Sequence, residues 1–437
     1  MPVSEAIYEL GMRTGRALLP RTPFLPEKLR RGIDGRRGLL GRIDAWAHGE
    51  RGDAPLVWFH APSVGEGLQT VPVIEALRSL RPDLTVFYTF FSPSAQGLAR
   101  QLPVDYADYM PFDAAADVSA VIDVVRPQAI VFGKTDVWPN CARLAAERGV
   151  RLALVSATLS PSSSRRGWWA RSFLSGAYRR LDAVGAISED DAVRLSELGV
   201  PAKRIQVTGD ARFDQVKARA DGIDRSAPPL AVLAVHDGAT LVAGSTWPEG
   251  EGHLVQALAR LGQGHARLRS IIAPHEPTPV RLADLEARLA AEGLSSVRLS
   301  ELEPTAGHPA VVVIVDRVGV LAEIYALADI AYVGGGFGSR GSGGAGGLHS
   351  VLEPAALGVP VLYGPRHANA REAAQLIERG GAREVAGAGD LEQALRDWLA
   401  NREARQAAGA AAAAFIEENL GAGRRNAELV LGLLGVD

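Results

Sequence analysis

Glu66 stands three residues after Ser63 in the stretch His60-Ala61-Pro62-Ser63-Val64-Gly65-Glu66-Gly67. There a short apolar run gives way to a helical pattern of Leu68, Val71, Ile74 and Leu77. A carboxylate in the first turn of such a helix can take a proton from an incoming hydroxyl, and Gly65 and Gly67 on either side leave room for a substrate. The same Ser-x-x-Glu spacing is that of a capping box, in which Glu66 only closes the helix start. Spacing leaves both readings open. A second polar group follows another apolar run: Lys134 and Asp136 precede Trp138-Pro139-Asn140. Lys134 suits a carboxylate or phosphate as a point charge, while a loop with an Asp cap and a packing tryptophan is the plainer alternative.

The second half of the chain carries groups suited to an anion. Ser245-Thr246-Trp247-Pro248 ends an apolar run and opens a helix with Pro248 at its first position, and helix N-termini attract anions. Pro274 and His275 end the next run. Nine of the fourteen residues from Gly334 to Gly347 are glycine, Gly335 and Gly336 among them. Such a loop lets backbone N–H groups approach a phosphate, or it is simply flexible. Glu353 lies in the helix that follows, where it can accept hydrogen bonds from a ribose diol. The loop is neither a Walker loop nor a dinucleotide fingerprint. No HExxH, DxD or clustered His/Cys set appears, so no metal is expected, and no G-x-S-x-G elbow marks an α/β-hydrolase.

These groups need strands and helices to position them. Short continuous apolar runs read as strands buried on both faces: Leu56–Phe59, Thr85–Thr89, Ala129–Phe132, Arg151–Val155, Ala183–Ile187 and Ile205–Thr208, then Thr240–Gly244, Leu268–Ala273, Ala310–Val315, Ile330–Val333, Pro360–Tyr363 and Arg383–Val385. Helical stretches such as Gly67–Leu80, Asp190–Leu198, Ala322–Ala328 and Ala370–Arg379 separate them. The expected class is α/β, with two doubly wound domains whose strand ends face a shared cleft. The first domain is expected over 1–210, a linker over 211–230 with Pro228-Pro229, and the second domain over 231–437, ending in helices.

The 437 residues suit two or three domains. A net charge of −3 excludes a generally basic nucleic-acid binder, and the lone Cys141 excludes a disulfide framework and fits a reducing compartment. No apolar run is long enough to span a membrane, and residues 1–20 lack a secretory pattern. Charge is uneven: residues 1–51 hold ten Lys/Arg against six Asp/Glu. Lys28, Arg30, Arg31, Arg36, Arg37 and Arg42 lie near Ile7, Leu10, Leu18, Leu19, Phe24 and Leu25. Such a segment can rest on an anionic membrane surface, or pack as a helix with its basic face in water.

In order along the chain, W-F-H-A-P-S-V-G-E (58–66), W-P-N (138–140), G-D-A-R-F-D (209–214), G-S-T-W-P-E (244–249), A-P-H-E (273–276), V-D-R-V-G-V-L (315–321), Y-V-G-G-G-F-G (332–338), L-E-P-A (352–355) and G-V-P-V-L-Y-G-P (358–365) resemble the 3-deoxy-D-manno-octulosonic acid (Kdo) transferases of lipopolysaccharide assembly. The resemblance implies a GT-B fold of two Rossmann-like domains, with CMP-Kdo bound on the C-terminal side and a lipid A precursor on the N-terminal side. It implies Glu66 as the general base for an inverting transfer without a metal or other cofactor. Pro274 and His275 match a Pro-Arg pair near the donor phosphate, Val318, Gly319 and Val320 a segment that meets the nucleotide by backbone, and Ser350, Val351, Leu352 and Glu353 an Asn-x-x-Glu segment whose glutamate holds the ribose. Ser63, Gly65, Lys134, Asp136, Arg212 and Ser245 are further candidates for substrate contact, and Gly335 and Gly336 for the donor. His275, Lys134 and Ser350 depart from the family's usual residues. With the basic N-terminal segment, the resemblance implies a peripheral protein on the cytoplasmic face of a bacterial inner membrane. The alternatives are another GT-B sugar-nucleotide enzyme, such as a UDP-sugar transferase or 2-epimerase, and a non-catalytic lipid- or sugar-binding relative.

Overall fold

The computed structural model describes residues 3–22, 24–228, 230–234, 236–262, 268–302, 312–338 and 347–435. The chain divides into two compact units, one of Met1–Gln215 with Asn419–Asp437 and one of Val216–Glu418.

The first unit is built on a seven-stranded parallel sheet of β1 (Leu56–His60), β2 (Thr85–Phe90), β3 (Tyr106–Tyr109), β4 (Ala129–Gly133), β5 (Arg151–Ala157), β6 (Ala183–Ala186) and β7 (Ile205–Val207), in the order β3-β2-β1-β4-β5-β6-β7. Every residue of β1, β2 and β4 is buried, as the unbroken apolar runs require of strands covered on both faces. The order reverses between β1 and β4. That places a crevice at the carboxyl ends of these two neighbours, where open α/β sheets bind ligands.

The second unit repeats this plan with β8 (Thr240–Thr246), β9 (Arg269–Pro274), β10 (Ser296–Arg298), β11 (Val312–Ile314), β12 (Ile330–Val333), β13 (Val361–Tyr363) and β14 (Ala382–Glu384), ordered β10-β11-β9-β8-β12-β13-β14 and again all parallel. Side-chain alternation feeds two cores. Leu241, Ala243, Ile272 and Ile314 enter one apolar cluster, while Val242, Ile271, Val313 and Ala331 enter the other. Here the order reverses between β8 and β12.

Three features differ from the boundaries read in the sequence. Strands β3 and β10 were not anticipated; each is the outermost strand at one edge of its sheet, where polar residues and short length weaken the apolar signal. Part of the stretch expected as a linker is the helix Arg212–Asp221, in which Phe213 and Val216 are buried. The last helix, Ala422–Leu433, belongs to the first unit and not the second. Its N–H groups at Gly421 and Gly423 donate to the Asp214 carboxylate at 2.7 and 3.1 Å. Gly423 packs where a Cβ would lie 2.7 Å from Pro72 of the helix Val64–Leu80.

The helix Val3–Leu18 is attached by its polar residues. Glu5 pairs with Arg180 at 2.7 Å, Tyr8 donates to Asp113 at 3.0 Å, and Glu9 accepts from the Ala115 N–H and from Asn140. Val3, Ile7, Leu10 and Leu18 are exposed on its other side. Among the described residues no helix is long and apolar enough to cross a membrane.

Candidate active site

Glu66 follows β1 and Lys134 follows β4, so the two flank the point where the first sheet reverses. Ser63 precedes the helix in an extended conformation and makes no side-chain hydrogen bond to the helix start. The reciprocal capping box is therefore not formed. The Glu66 carboxylate instead meets Lys134, Nζ to Oε1 3.4 Å, with about a fifth of the Glu66 side chain exposed. Gly65 has space at its Cβ position, with the Ser63 Oγ 4.0 Å away in ordinary contact. Gly67 has none: a Cβ there would lie 2.8 Å from the Tyr88 hydroxyl and 2.7 Å from Leu98. Thus only the first of the two glycines leaves room for a ligand.

Lys134 adopts a left-handed backbone conformation, φ +65°, which is unfavourable for a residue with a Cβ. Its N–H donates to the Val155 carbonyl of β5 at 2.9 Å, and the next carbonyl, Thr135, accepts from the buried Tyr178 hydroxyl. Asp136 pairs with Arg165, from the loop after β5. Burial raises the Asp136 carboxyl above its usual range; Arg165 opposes this, Glu66 adds to it, and Lys134 opposes it. Two carboxylates and two cations thus share one electrostatic neighbourhood. Sequence reasoning found three of these groups and missed Arg165, whose only sign is a Ser-Ser-Ser-Arg-Arg run after a strand.

Behind Glu66, His60 is fully buried. Its Nδ1 faces the Thr89 carbonyl and hydroxyl, and its ring packs edge-on to Trp138. Burial pushes its pKa down to about 3, so it is a neutral structural histidine. Arg212 is engaged by Asp210, Nη2 to Oδ2 2.7 Å. With Asp214 capping the last helix, the G-D-A-R-F-D segment carries structural contacts within the first unit.

In the second unit, Ser245 lies at the carboxyl end of β8 and Trp247 follows it, while Gly335, Gly336 and His349 follow β12, again on either side of the reversal. Ser245 has φ +51° at an irregularity between Gly244 and Thr246. The Ser245 carbonyl lies 2.0 Å from where a Cβ on Gly334 would be. Gly335 is at φ +96°, and a Cβ on Gly336 would strike the Gly364 backbone. These first glycines allow backbone to meet backbone. Residues 339–346, the rest of the expected phosphate loop, lie outside the described residues.

Pro274 closes β9, and the His275 N–H donates to the Thr246 carbonyl at 3.0 Å. The exposed His275 ring stacks on Trp247 with centroids 4.9 Å apart and lies 4.4 Å from His349. The Trp247 indole N–H donates to His349 Nε2 at 2.9 Å, which leaves the His349 proton on Nδ1. Burial and then His275 lower the His349 pKa to about 4, so this ring is neutral near pH 7. The buried Glu251 accepts from Thr246 and from Arg281, both at 2.8 Å, and fixes this turn.

Val318 and Gly319 are exposed beyond β11, with Gly319 at φ +90° and Val320 leading into the short helix Leu321–Ile324. Ser350 accepts from the Leu352 N–H at 3.4 Å; Val351 and Leu352 are buried. Glu353 raises the pKa of the buried Tyr325 hydroxyl, after burial itself as the main cause. Among the described residues no group of three or more His, Cys, Asp or Glu is placed to hold a metal ion.

A family model described as 3-deoxy-D-manno-octulosonic-acid transferase matches residues 33–215. A 3-deoxy-D-manno-octulosonic acid transferase of Bordetella pertussis is 32% identical over 408 residues, covering 89% of this chain and 90% of that protein. One from Haemophilus influenzae is 26% identical, covering 86% of each. Among solved structures, UDP-GlcNAc 2-epimerase from Neisseria meningitidis superimposes with a TM-score of 0.61 at 15% identity, over 87% of this chain and 100% of that one. At that identity the likeness is one of fold. With two parallel Rossmann-like sheets of GT-B type and a relative of this similarity along nearly its whole length, the chain belongs to the 3-deoxy-D-manno-octulosonic acid transferase family of glycosyltransferases.

Proposed function

We propose that the chain moves Kdo from CMP-Kdo to a hydroxyl of a lipid A precursor, with Glu66 as the general base. The observation that carries this is the position of Glu66: at the reversal of the first sheet, unengaged by Ser63, and beside Lys134. Glu66 takes the proton of the acceptor hydroxyl as its oxygen attacks the anomeric carbon of Kdo. The bond from that carbon to the phosphate oxygen breaks, CMP leaves with the electron pair, and this single displacement inverts the carbon. Asp136 and Lys134 hold polar groups of the acceptor, with Ser63 and Gly65 at its edge. In the second unit, Ser245, Pro274 and His275 hold the donor phosphate. The segment from Val318 to Val320, with Gly335 and Gly336, meets the nucleotide by backbone. Ser350 through Glu353 present the Glu353 carboxylate to the ribose.

An anionic membrane surface is the proposed place of work. The helix Val3–Leu18 turns its polar residues inward and its apolar ones outward, the reverse of a helix packed on a core. With Arg30, Arg31 and Arg37, exposed in the segment that follows, it suits the interface of an anionic bilayer, whereas Arg36 and Arg42 are taken up by the first unit's own carbonyls and Asp108.

The test is Glu66→Gln, assayed with CMP-Kdo and a lipid A precursor and read by product mass. Transfer falls at least a thousandfold, while stabilisation of the protein by CMP, and its preference for CMP over UDP, stay as in the parent. Full transfer by Glu66→Gln would overturn the role given to Glu66, and preferential stabilisation by UDP would favour a UDP-sugar enzyme.

A further inference from the structure

Arg165 reaches the site from an otherwise exposed loop. The loop starts from a firm base: the buried Asp191 accepts from the Leu159 N–H at 2.8 Å and from the Thr158 hydroxyl at 3.1 Å. Ser163 then accepts the Arg165 N–H at 3.3 Å, fixing the turn that carries the side chain. The guanidinium contacts Asp136, with more than a third of the Arg165 side chain still exposed. Glu66 and Lys134 both act on that same Asp136 carboxyl. Three and four residues further on, Trp168 and Trp169 stand exposed at the first turn of the helix Trp168–Arg180, their rings 4.9 Å apart.

An exposed tryptophan pair costs solvation unless something amphipathic covers it. An arginine held by one carboxylate keeps part of its five-donor fork free. Resting the fork on Asp136 keeps it ordered without filling its capacity, and arginine suits planar oxyanions because it can give two parallel hydrogen bonds. We infer that Arg165 is a specificity-determining residue that binds an oxyanion on the acceptor sugar, a phosphate or a carboxylate, beside the hydroxyl that faces Glu66. Trp168 and Trp169 cover the apolar part of the same molecule. This rests on the proposal that the acceptor binds at Glu66.

Acceptor binding to the whole chain is measured by Trp fluorescence for the parent and for Arg165→Ala. Three acceptors are compared: a phosphorylated lipid A precursor, the same lipid after phosphatase treatment, and the phosphatase-treated lipid carrying one Kdo. Arg165→Ala weakens binding at least tenfold for an acceptor that bears the recognised oxyanion and less than twofold for the bare lipid. Loss confined to the first acceptor identifies phosphate, and loss confined to the third identifies the Kdo carboxylate. In transfer assays the acceptor KM rises by the same factor with kcat within threefold, and stabilisation by CMP is unchanged. Arg165→Lys keeps the charge beside Asp136 and loses the fork; it melts as the parent does and still binds severalfold more weakly. Equal weakening for all three acceptors, or none, overturns the inference. Binding that follows this pattern in a protein unable to transfer would leave Arg165 as assigned and overturn the function proposed above.

Discussion

Lys134 Nζ lies 3.4 Å from Glu66 Oε1, and it gets there from a backbone at φ +65°. A side-chain-bearing residue in this conformation costs about 1–2 kcal/mol, and a partly exposed ion pair returns about 1 kcal/mol at most. The pair therefore does not offset its own backbone on stability grounds. Residues held in such conformations cluster at functional sites.

The stability order of two variants tests this. Lys134→Ala keeps the strained backbone and loses the ion pair. Lys134→Gly also loses the pair but relieves the backbone, less about 0.5–1 kcal/mol for the more flexible unfolded chain. The glycine variant melts higher than the alanine variant, by up to roughly 3 °C, although glycine is ordinarily the less stabilising of the two. Both lower kcat/KM for the acceptor at least tenfold. An alanine variant as stable as the glycine one, or transfer at the parental rate in either, would refute the account of Lys134.

Central strands were legible in the sequence because burial on both faces leaves an unbroken apolar run. Val57 to Phe59 and Val131 to Phe132 show this at the strands before Glu66 and Lys134. The edge strands β3 and β10 were not, since Tyr106-Ala107-Asp108-Tyr109 and Ser296-Val297-Arg298 mix polar and apolar residues along a side that needs less burial. Glu66, Lys134 and Asp136 were legible as polar residues at strand ends. Arg165 was not, because its place depends on how a serine-rich loop folds back over Asp136, and no spacing encodes that. The return of the last helix to the first unit was equally hidden: it depends on Asp214 capping Gly421 and Gly423 across some two hundred residues of chain.

The outward apolar face of Val3–Leu18 predicts membrane binding that separates from folding. Ile7 and Leu10 are exposed, so Ile7→Ser with Leu10→Ser removes apolar surface without opening a core. Binding to vesicles with a third of their lipid anionic falls at least tenfold, and the melting temperature moves by less than about 2 °C, as exposed substitutions usually do. Parental vesicle binding by this double variant would remove the helix from the membrane role.

Asp113 anchors the same helix from inside and predicts how the first unit responds to pH. It is fully buried, accepts from the Tyr8 hydroxyl at 3.0 Å, and takes the Asn140 and Cys141 N–H groups at 2.9 Å each. Burial raises its pKa from the usual 3.8 to about 7, against the opposing pull of those donors and with a small further rise from Glu9. An acid whose pKa is raised on folding is protonated in the folded chain while the unfolded chain has already ionised. The unfolded state then binds fewer protons, so stability is greatest below about pH 4 and is lost as pH rises towards about 7. At about 1.4 kcal/mol per pH unit the loss amounts to roughly 4 kcal/mol at most. Asp113→Asn cannot ionise, and its Tm should fall furthest below the parent's at pH 4.5. The gap narrows steadily to pH 7 and levels off above it. Thermal melts of both proteins at pH 4.5, 5.5, 6.5, 7.5 and 8.5 measure this directly, and a Tm difference independent of pH would show that Asp113 is ionised in the folded protein across the whole range.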